Sequence, residues 1–497
     1  MNTSEFYEND YWATLFPMKT NLLMVKHHEK DLSDYIYQKI LNDSFPADNF
    51  LPQQRIYATK PRGHLRRTVK LDPVAEYFVY DLIYRNRSVF RKPAGPNRES
   101  FGYRFEAGNP ISVNTAYRAF KSRISEQKLK FKHHISFDIA SYFNSIYHHD
   151  LAHWFNSHES VTTEDANAIS RFLREINAGH SIDFLPHGIY PCKMIGNEFL
   201  KSIDLSYQIK SSVMLRLMDD FYLFDDSESI LSQDFVKIQQ LLGSLHLNVN
   251  PMKTRIDAHQ TDVATTISEI RKTLYEVVEI EVPIEEVFAS GTVTGTETVE
   301  IELETNLSTT QVETLLGLLK EDTLEESDAD LILAALKSHS DSLLELVPHL
   351  LGKFPNITKH LYTICGSITD KELLAKTILD FIKTHDNHLE YQLFWLAVLA
   401  EEQLSKTRVY GDILLGIYEM TAEHKIARAK VLEIPEQGFG LKDIRTNHLK
   451  TGSSDWLAWA SAMGSRTLKP GERNYVLDYF SKGSPLNFLI ASCVKKI

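Results

Sequence analysis

Two adjacent carboxylates, Asp219 and Asp220, lie in the middle of the stretch SVMLRLMDDFYLFDDSES, which spans residues 212–229. Apolar residues flank the pair, so the pattern predicts a β-hairpin that buries its faces and carries both carboxylates at its tip. An unpaired carboxylate in such a place would shift its pKa and become neutral unless a cation lies beside it. The pair therefore indicates a bound cation, whereas a second pair, Asp225 and Asp226, is typical of an exposed turn.

A third carboxylate, Asp138, lies upstream in the segment FKHHISFDIASYFNSIYHHD at 131–150. Alternating apolar residues predict a buried strand that ends near Asp138 and leads into a helix beginning around Ser141. Three carboxylates on two neighbouring strands suit a pair of Mg²⁺ ions, with Mn²⁺ as an alternative, because hard cations prefer oxygen ligands. Two such ions can activate an attacking 3′-hydroxyl and stabilise the charge that develops on phosphorus. The three aspartates therefore indicate nucleotidyl transfer.

The composition is that of a globular protein with two or three domains: 497 residues, 43% hydrophobic and 11% aromatic. The longest apolar runs, such as YQLFWLAVLA at 391–400, are shorter than the roughly 20 residues that span a bilayer, and the N-terminus lacks a signal-peptide pattern. We therefore expect a cytoplasmic protein without membrane contact. The three cysteines are widely separated, and we interpret them as buried thiols rather than a disulfide framework or a zinc site.

The formal charge of −12 is unevenly distributed along the chain. Residues 1–260 carry 31 Lys/Arg and 30 Asp/Glu, whereas residues 261–497 carry 23 and 36. Residues 51–92 hold ten Lys/Arg and only three Asp/Glu. This basic stretch suits phosphate groups, although a solvated pair of strands is the simpler alternative.

The hydrophobic pattern divides the chain into four regions. We predict an N-terminal helical extension at 1–50, an α+β domain at 51–260, a connecting segment at 261–305 with a half-exposed strand, and an all-α helical-repeat domain at 306–497. Because no strict repeat motif is visible, an irregular helical bundle remains an alternative for the last region.

Four motifs resemble those of the reverse-transcriptase palm, in the same order. SFDIASYFNSI at 136–146 is similar to the first palm motif, and LPHGIYPCKMIGNEFL at 185–200 is similar to the Leu-Pro-Gln-Gly motif. RLMDDFYLF at 216–224 resembles the Tyr-x-Asp-Asp hairpin, and LHLNVNPMKTRI at 245–256 resembles the motif that follows it. The resemblance implies reverse-transcriptase fingers and palm, an α+β fold, followed by a helical domain of HEAT-like repeats.

The resemblance also implies roles for individual residues. Asp138 and Asp219 would bind the metal ions with help from the Ile139 carbonyl, and Asp220 would complete the catalytic acidic cluster. Phe143 matches the aromatic residue that stacks under the sugar and excludes a 2′-hydroxyl, which implies deoxynucleotide substrates. An ordinary core aromatic is the alternative for Phe143.

The other matches concern nucleotide binding. Lys60 and Arg67, seven residues apart, have the spacing of the fingertip cations that hold a triphosphate, and Arg66 is almost equally plausible. Gly188 would let the backbone approach the nucleotide closely. Lys253 matches a lysine near the leaving pyrophosphate, with a solvated surface lysine as the alternative.

The chain departs from the reverse-transcriptase pattern at two positions. His187 replaces the glutamine of the second motif and Leu217 replaces the tyrosine of the hairpin. Both positions help to hold template, primer and nucleotide in that family. The departures count against templated copying, while the groups needed for phosphoryl transfer are retained.

A reverse-transcriptase domain followed by acidic helices, where a basic thumb is expected, resembles the bacterial abortive-infection (Abi) reverse transcriptases, in particular their shorter, prophage-encoded branch. This resemblance implies a template-independent antiphage DNA polymerase that uses dNTPs and extends single-stranded DNA from one of its own tyrosines. It also implies a homo-oligomer in the bacterial cytoplasm. A templated RNA-directed DNA polymerase and a non-catalytic nucleotide-binding sensor remain alternatives. The sequence does not indicate which of the 22 tyrosines would be the primer.

Overall fold

The protein combines a mixed α/β region with a helical C-terminal region in a computed structural model. The structure describes residues 1–42, 48–60, 63–91, 95–178, 184–256, 277–288, 291–302, 307, 309–321, 324, 326–385 and 387–497. None of the helices in these ranges is long and apolar enough to cross a membrane. The predicted order, mixed α/β first and helices last, is confirmed.

The N-terminal part contains helix α1 (Thr3–Asp10) and helix α2 (Lys19–Tyr35), which continues into a π-helical turn at Ile36–Ile40. Helix α1 begins with a capping box, in which the Asn2 side chain accepts from the Glu5 amide and the Glu5 side chain accepts from the Asn2 amide. This exchange satisfies amides that the first helical turn leaves without partners.

Strands β1 (Gln54–Thr59) and β2 (Leu65–Lys70) form an antiparallel hairpin, which we call the basic ribbon. Helix α3 (Pro73–Arg85) follows and is capped by Asp72, whose carboxylate accepts from the amides of the second and third helical residues. Its residues 73–83 are all buried. Helix α3 is therefore an internal helix on which the surrounding elements pack.

The mixed region continues with β3 (Arg98–Phe101), β4 (Phe105–Glu106), β5 (Asn109–Pro110), α4 (Val113–Lys130), β6 (His133–Asp138), α5 (His148–Asn156), α6 (Thr163–Ile176), α7 (Tyr190–Phe199), α8 (Lys201–Asp204), β7 (Val213–Leu217), β8 (Asp220–Asp225), α9 (Glu228–Ser244) and β9 (Arg255–Ile256). Five strands form one sheet in the order β3-β7-β8-β6-β9. Helix α4 packs against β3, β7 and β8, and helix α9 packs against β6 and β8.

Both faces of the central hairpin are covered. Every residue of β7 is buried. Leu215 and Leu217 belong to an apolar cluster with Phe120 and Ile124 of α4, whereas Met214 belongs to the main core of the protein. Because successive strand residues point to opposite faces, this division shows that the predicted buried hairpin lies between two helical layers.

The segment after β6 differs from the prediction. Ala140 is still held beside the sheet, where its amide donates to the Asn248 carbonyl (2.8 Å). Ser141 then adopts a left-handed conformation (φ +50°), and Tyr142–Asn144 form a short 3₁₀ turn. The α-helix begins only at His148, so the prediction of a helix from about Ser141 is wrong. The sharp turn is explained by packing, because it buries the side chains of Tyr142 and Phe143.

Strands β10 (Val277–Phe288) and β11 (Gly291–Glu302) form an antiparallel hairpin in the connecting segment. The strand predicted near residues 299–303 corresponds to the end of β11. Leu303 and residues 261–276 lie outside the described residues. The predicted half-exposure of this strand is not tested, because the side chains of β11 are not described.

The C-terminal helices are α10 (Thr309–Lys320), α11 (Glu326–Ala335), α12 (Val347–Lys353), α13 (Thr358–Cys365), α14 (Lys371–Thr384), α15 (Glu390–Gln403), α16 (Tyr410–Met420), α17 (Lys425–Glu433), α18 (Leu441–Lys450), α19 (Trp456–Gly464), α20 (Pro470–Phe480) and α21 (Pro485–Lys496). Helices α13, α15, α17, α19 and α21 pack one on the next in an inner row. In an outer row, α14 packs on α12 and α16, and α18 packs on α20. We call α12–α21 the helical stack; it has the layered arrangement of a solenoid.

The helical stack packs against the N-terminal part. Helix α15 contacts strand β1, and its residues 391–400 are all buried, which explains why this apolar run is hydrophobic on every side. Phe16 packs edge-on against Phe394 (centroids 5.2 Å apart), and Trp395 Nε1 donates to the Leu15 carbonyl (3.2 Å). Helix α2 also packs on α19 and α21.

A buried ion cluster fixes this junction. Glu433 accepts hydrogen bonds from the amides of Lys19 (2.9 Å) and Thr20 (2.8 Å), and so caps α2 from the helical stack. Lys430 pairs with Glu433 (2.7 Å) and with Glu401 (2.8 Å). The start of α2 is therefore tied to the helical stack by charges that water does not reach.

Candidate active site

Asp138 and Asp220 face each other on neighbouring antiparallel strands. Asp138 ends β6, Asp220 begins β8, and the two residues are register partners. Asp219 lies in the turn before β8, next to Met218, whose φ of +57° is in the left-handed region. The Ile139 amide donates to the Asp219 carbonyl (3.3 Å) and ties this turn to the end of β6. The structure thus places the three aspartates together, where strand β6 ends and strand β8 begins.

The carboxylates of the acidic cluster raise one another's pKa, although a lysine lies beside them. Burial, together with the charges of Asp220 and Asp138, raises the pKa of Asp219 to about 6. Desolvation and the charge of Asp138 also raise the pKa of Asp220, whose side chain is exposed. Lys253 Nζ lies 2.5 Å from Asp138 Oδ2. Partial burial lowers the pKa of Lys253, but its hydrogen bond to Asp138 and the charges of the other two aspartates outweigh this effect and raise it. A further cation would stabilise the ionised cluster.

The three aspartates offer carboxylate oxygens, which are the ligands that a hard divalent cation prefers. Asp138 Oδ1 is buried and has no hydrogen-bond partner among the described residues, so it is an unused carboxylate oxygen of the kind that Mg²⁺ prefers. Across the part of the chain that the structure describes, however, no three His, Cys, Asp or Glu side chains are grouped closely enough to hold a metal ion. Binding a cation would therefore require these side chains to rearrange.

The basic ribbon places Arg66 beside His187, on the side of the acidic cluster. Arg66 Nη1 is 3.0 Å from His187 Nε2, and Thr68 Oγ1 donates to the His187 carbonyl (2.8 Å). Arg67 lies between them in the strand, so strand alternation directs its side chain to the opposite face. Burial lowers the pKa of Arg66, and the negative charge of Asp219 opposes this shift. The structure therefore places Arg66 beside His187, and which arginine joins Lys60 in holding a triphosphate stays a prediction.

Lys60 lies at the end of β1, within electrostatic reach of the acidic cluster. Partial desolvation and the positive charges of Arg66 and Lys253 lower its pKa, whereas Asp219 and Asp138 oppose this shift. Lys60, Arg66 and Lys253 are thus three cations around one group of carboxylates. Such an arrangement attracts a ligand that carries several negative charges.

His187 is neutral and held in one tautomer. An arginine can only donate, so His187 Nε2 accepts from Arg66 and we assign the ring proton to Nδ1. Burial and the charge of Arg66 lower the pKa of His187 well below its ordinary value. Phe143 packs edge-on against the imidazole (centroids 4.5 Å apart) and is 9% exposed. Phe143 therefore lies at the boundary between the core and the site.

Gly188 lies against the N-terminal segment of the chain and does not face open space. Its φ is +108°, and a Cβ atom added there would lie 2.7 Å from the side chain of Leu15. The N-terminal segment thus accounts for the need for glycine at this position. This contact gives a structural reason for the glycine. The close approach of a nucleotide to Gly188 stays a prediction.

Three residues near the site were not recognised in the sequence. Tyr103 is half-buried, and burial together with the charge of Asp219 raises its pKa to about 12. Lys193 lies over the Tyr103 ring, 5.6 Å from its centroid. Arg216 is completely buried behind the turn at Met218 and Asp219, which we call the aspartate turn. Only Arg216 carried a sequence signal, because it is a single charge inside the apolar strand VMLRLM.

No family model and no curated protein matches this chain. Among solved structures, it is similar to a telomerase from Candida albicans in complex with a fragment of telomeric RNA, with 13% identity and a TM-score of 0.28, over 80% of this chain and 66% of that chain. It is also similar to an apo telomerase from Candida tropicalis, with 13% identity and a TM-score of 0.31, over 87% of this chain and 72% of that chain. The chain thus spans slightly less than two thirds of the first telomerase. Similarity at this level does not assign a family.

Proposed function

We propose that this protein is a DNA polymerase that transfers nucleotides with the help of Mg²⁺, of the type found in Abi reverse transcriptases. One observation carries the proposal. Asp138, Asp219 and Asp220 are gathered at two facing strand ends, with a raised pKa at two of them and, among the described residues, no partner for the buried Asp138 Oδ1. Carboxylates grouped in this way repel one another, and bound divalent cations would offset that repulsion.

The three aspartates and the Ile139 carbonyl would hold Mg²⁺ or Mn²⁺. When bound, such ions activate an attacking hydroxyl and neutralise charge on the transferred phosphoryl group. Lys60 and Arg66 would hold the phosphates of the incoming dNTP, because both are within electrostatic reach of the acidic cluster.

The remaining site residues would select and orient the nucleotide. His187 would donate a hydrogen bond from Nδ1, since Arg66 occupies its other nitrogen. Phe143 would lie under the sugar, and Lys253 would neutralise the leaving pyrophosphate. Lys253 must first exchange its contact with Asp138 for one with the phosphate.

We further propose that synthesis is template-independent and starts from a tyrosine of the protein, so that the single-stranded DNA product is covalently attached. The motif departures at His187 and Leu217 support this, and so does the excess of acidic residues after residue 260, which would repel a duplex. The same resemblance supports a homo-oligomer in a bacterial cytoplasm that limits phage infection.

The test is to incubate the purified protein with Mg²⁺ and each labelled dNTP without nucleic acid, and to measure label attached to protein. Asp219→Asn and Asp220→Asn should abolish incorporation. Asp226→Asn is a matched control, because Asp226 is an exposed carboxylate at the far end of the same hairpin and should leave incorporation unchanged.

Two results would contradict the proposal. Turnover in Asp219→Asn equal to that of the wild type would refute the catalytic assignment. Synthesis that requires an added template and yields complementary DNA would favour an ordinary reverse transcriptase. Mass spectrometry of the labelled protein would identify the priming tyrosine, and plaque counts with wild type and Asp219→Asn would test phage defence.

A further inference from the structure

Arg216 is a charged side chain in a strand that is buried on both faces. It is 1% exposed, and its guanidinium uses all five of its N–H groups. Nε and Nη2 donate to the Asp204 carboxylate (2.8 and 2.5 Å), Nη1 donates to Asn197 Oδ1 (3.0 Å) and to the Met218 carbonyl (2.9 Å), and Nη2 donates to the Asn197 carbonyl (3.0 Å). A buried charge is tolerated only with such complete pairing.

The bond to Met218 differs from the others, because it reaches the aspartate turn. Met218 has a φ of +57°, which is unfavourable for a residue with a Cβ atom. Its carbonyl belongs to the same rigid peptide plane as the amide of Asp219. The guanidinium therefore fixes the peptide that sets the direction of Asp219.

The partners of Arg216 are themselves anchored. Asn197 lies on α7 and donates from Nδ2 to the Gly102 carbonyl (3.2 Å). Its neighbour Gly196 accepts at its carbonyl from the Tyr142 hydroxyl (2.6 Å). Asp204 ends α8. Helices α7 and α8, together with the turn after β6, thus hold the guanidinium in place.

We propose that Arg216 is a positioning residue: it holds the Met218–Asp219 peptide in the conformation that nucleotidyl transfer requires. The proposal rests on the proposed function. Lysine could not replace Arg216, because an ammonium has three donors and lacks the planar fork that reaches Asp204, Asn197 and Met218 together. If Arg216 only stabilised the fold, its loss would change stability and leave the turnover of folded protein unchanged.

Two variants separate these roles. Asp204→Asn weakens the buried ion pair but retains an oxygen acceptor, so that Arg216 keeps its bond to Met218. The double variant Arg216→Met/Asp204→Leu replaces the pair with apolar side chains of similar size, which proteins often tolerate, but it lacks the bond to Met218. Melting temperature and circular dichroism show whether each variant is folded.

We expect Asp204→Asn to melt earlier and to keep the kcat of wild type within about threefold when assayed at low temperature. The folded double variant should lose about 100-fold in kcat, the effect of a misplacement of roughly 1 Å, with an unchanged KM for dNTP. A folded double variant with the kcat of wild type would overturn the proposal.

A second measurement does not depend on activity. Hydrogen exchange of the backbone amides at 218–221 should be faster in the double variant than in Asp204→Asn, and equal exchange would also overturn the proposal. If the wild type itself incorporates no nucleotide, the proposed function fails, and this measurement still decides whether Arg216 holds the turn.

Discussion

Replacing Lys430 with methionine tests how firmly the helical stack is anchored to the N-terminal helices. Lys430 is 1% exposed and pairs with both Glu401 and Glu433. Removing one partner of a buried ion pair costs about 3–5 kcal/mol, because the remaining charge loses its counter-ion. Two carboxylates lose a counter-ion here, although Lys19 still contacts Glu401 (2.9 Å). We therefore expect Lys430→Met to lower the free energy of unfolding by about 4 kcal/mol.

The assay is urea-induced unfolding followed by tryptophan fluorescence, which the five tryptophans of the chain permit. Lys425→Met is the matched control, because Lys425 lies on the same helix and pairs with Asp455 at the surface (3.3 Å). An exposed pair contributes about 0–1 kcal/mol, so the control should unfold almost as the wild type does.

Glu433 also caps α2, which predicts a further effect of Lys430→Met. The start of α2 should become accessible to limited proteolysis at lower urea concentrations than in the control. If Lys430→Met and Lys425→Met change the free energy of unfolding equally, the buried cluster is not an anchor and the reasoning is refuted.

Three further predictions concern the site and its support. Arg66→Ala should raise the KM for dNTP at least about tenfold, the loss of one charge-assisted hydrogen bond, whereas Arg67→Ala should change it little in the same steady-state assay. Phe143→Ala should admit ribonucleotides, and an unchanged preference for dNTP would assign Phe143 to the core. Burial alone would raise the pKa of Glu401, but its two lysine partners lower it to about 2. The stability from Glu401 is therefore complete above roughly pH 4.5 and is lost as the pH falls towards 2, so wild type and Glu401→Gln should converge in urea midpoint over this range.

Local patterns predicted much of the framework. Alternating apolar residues identified β6, β7 and β8, because a strand buried on a sheet must place every second side chain in the core. The same patterns placed Asp138 at the end of one strand and Asp219 and Asp220 at the tip of a hairpin. Helical periodicity indicated a helical C-terminal region. These features depend on residues that are near each other in the chain.

The tertiary structure decided which side chains meet. The choice between Arg66 and Arg67 depends on which face of the basic ribbon lies against His187, and spacing along the sequence is almost equal for the two. Gly188 is required because Leu15 packs against it. The helix expected from about Ser141 is replaced by a turn that buries two aromatic side chains.

The sequence by itself determined strands β6–β8, the helical character of the C-terminal region and the three carboxylates at strand ends, because these follow from side-chain periodicity and local backbone preference. Only the tertiary structure decided what supports them: Arg216 behind the aspartate turn, and Glu433 at the start of α2. Those contacts join residues far apart in the chain, and their geometry is fixed by how the helices and the sheet pack around a shared core.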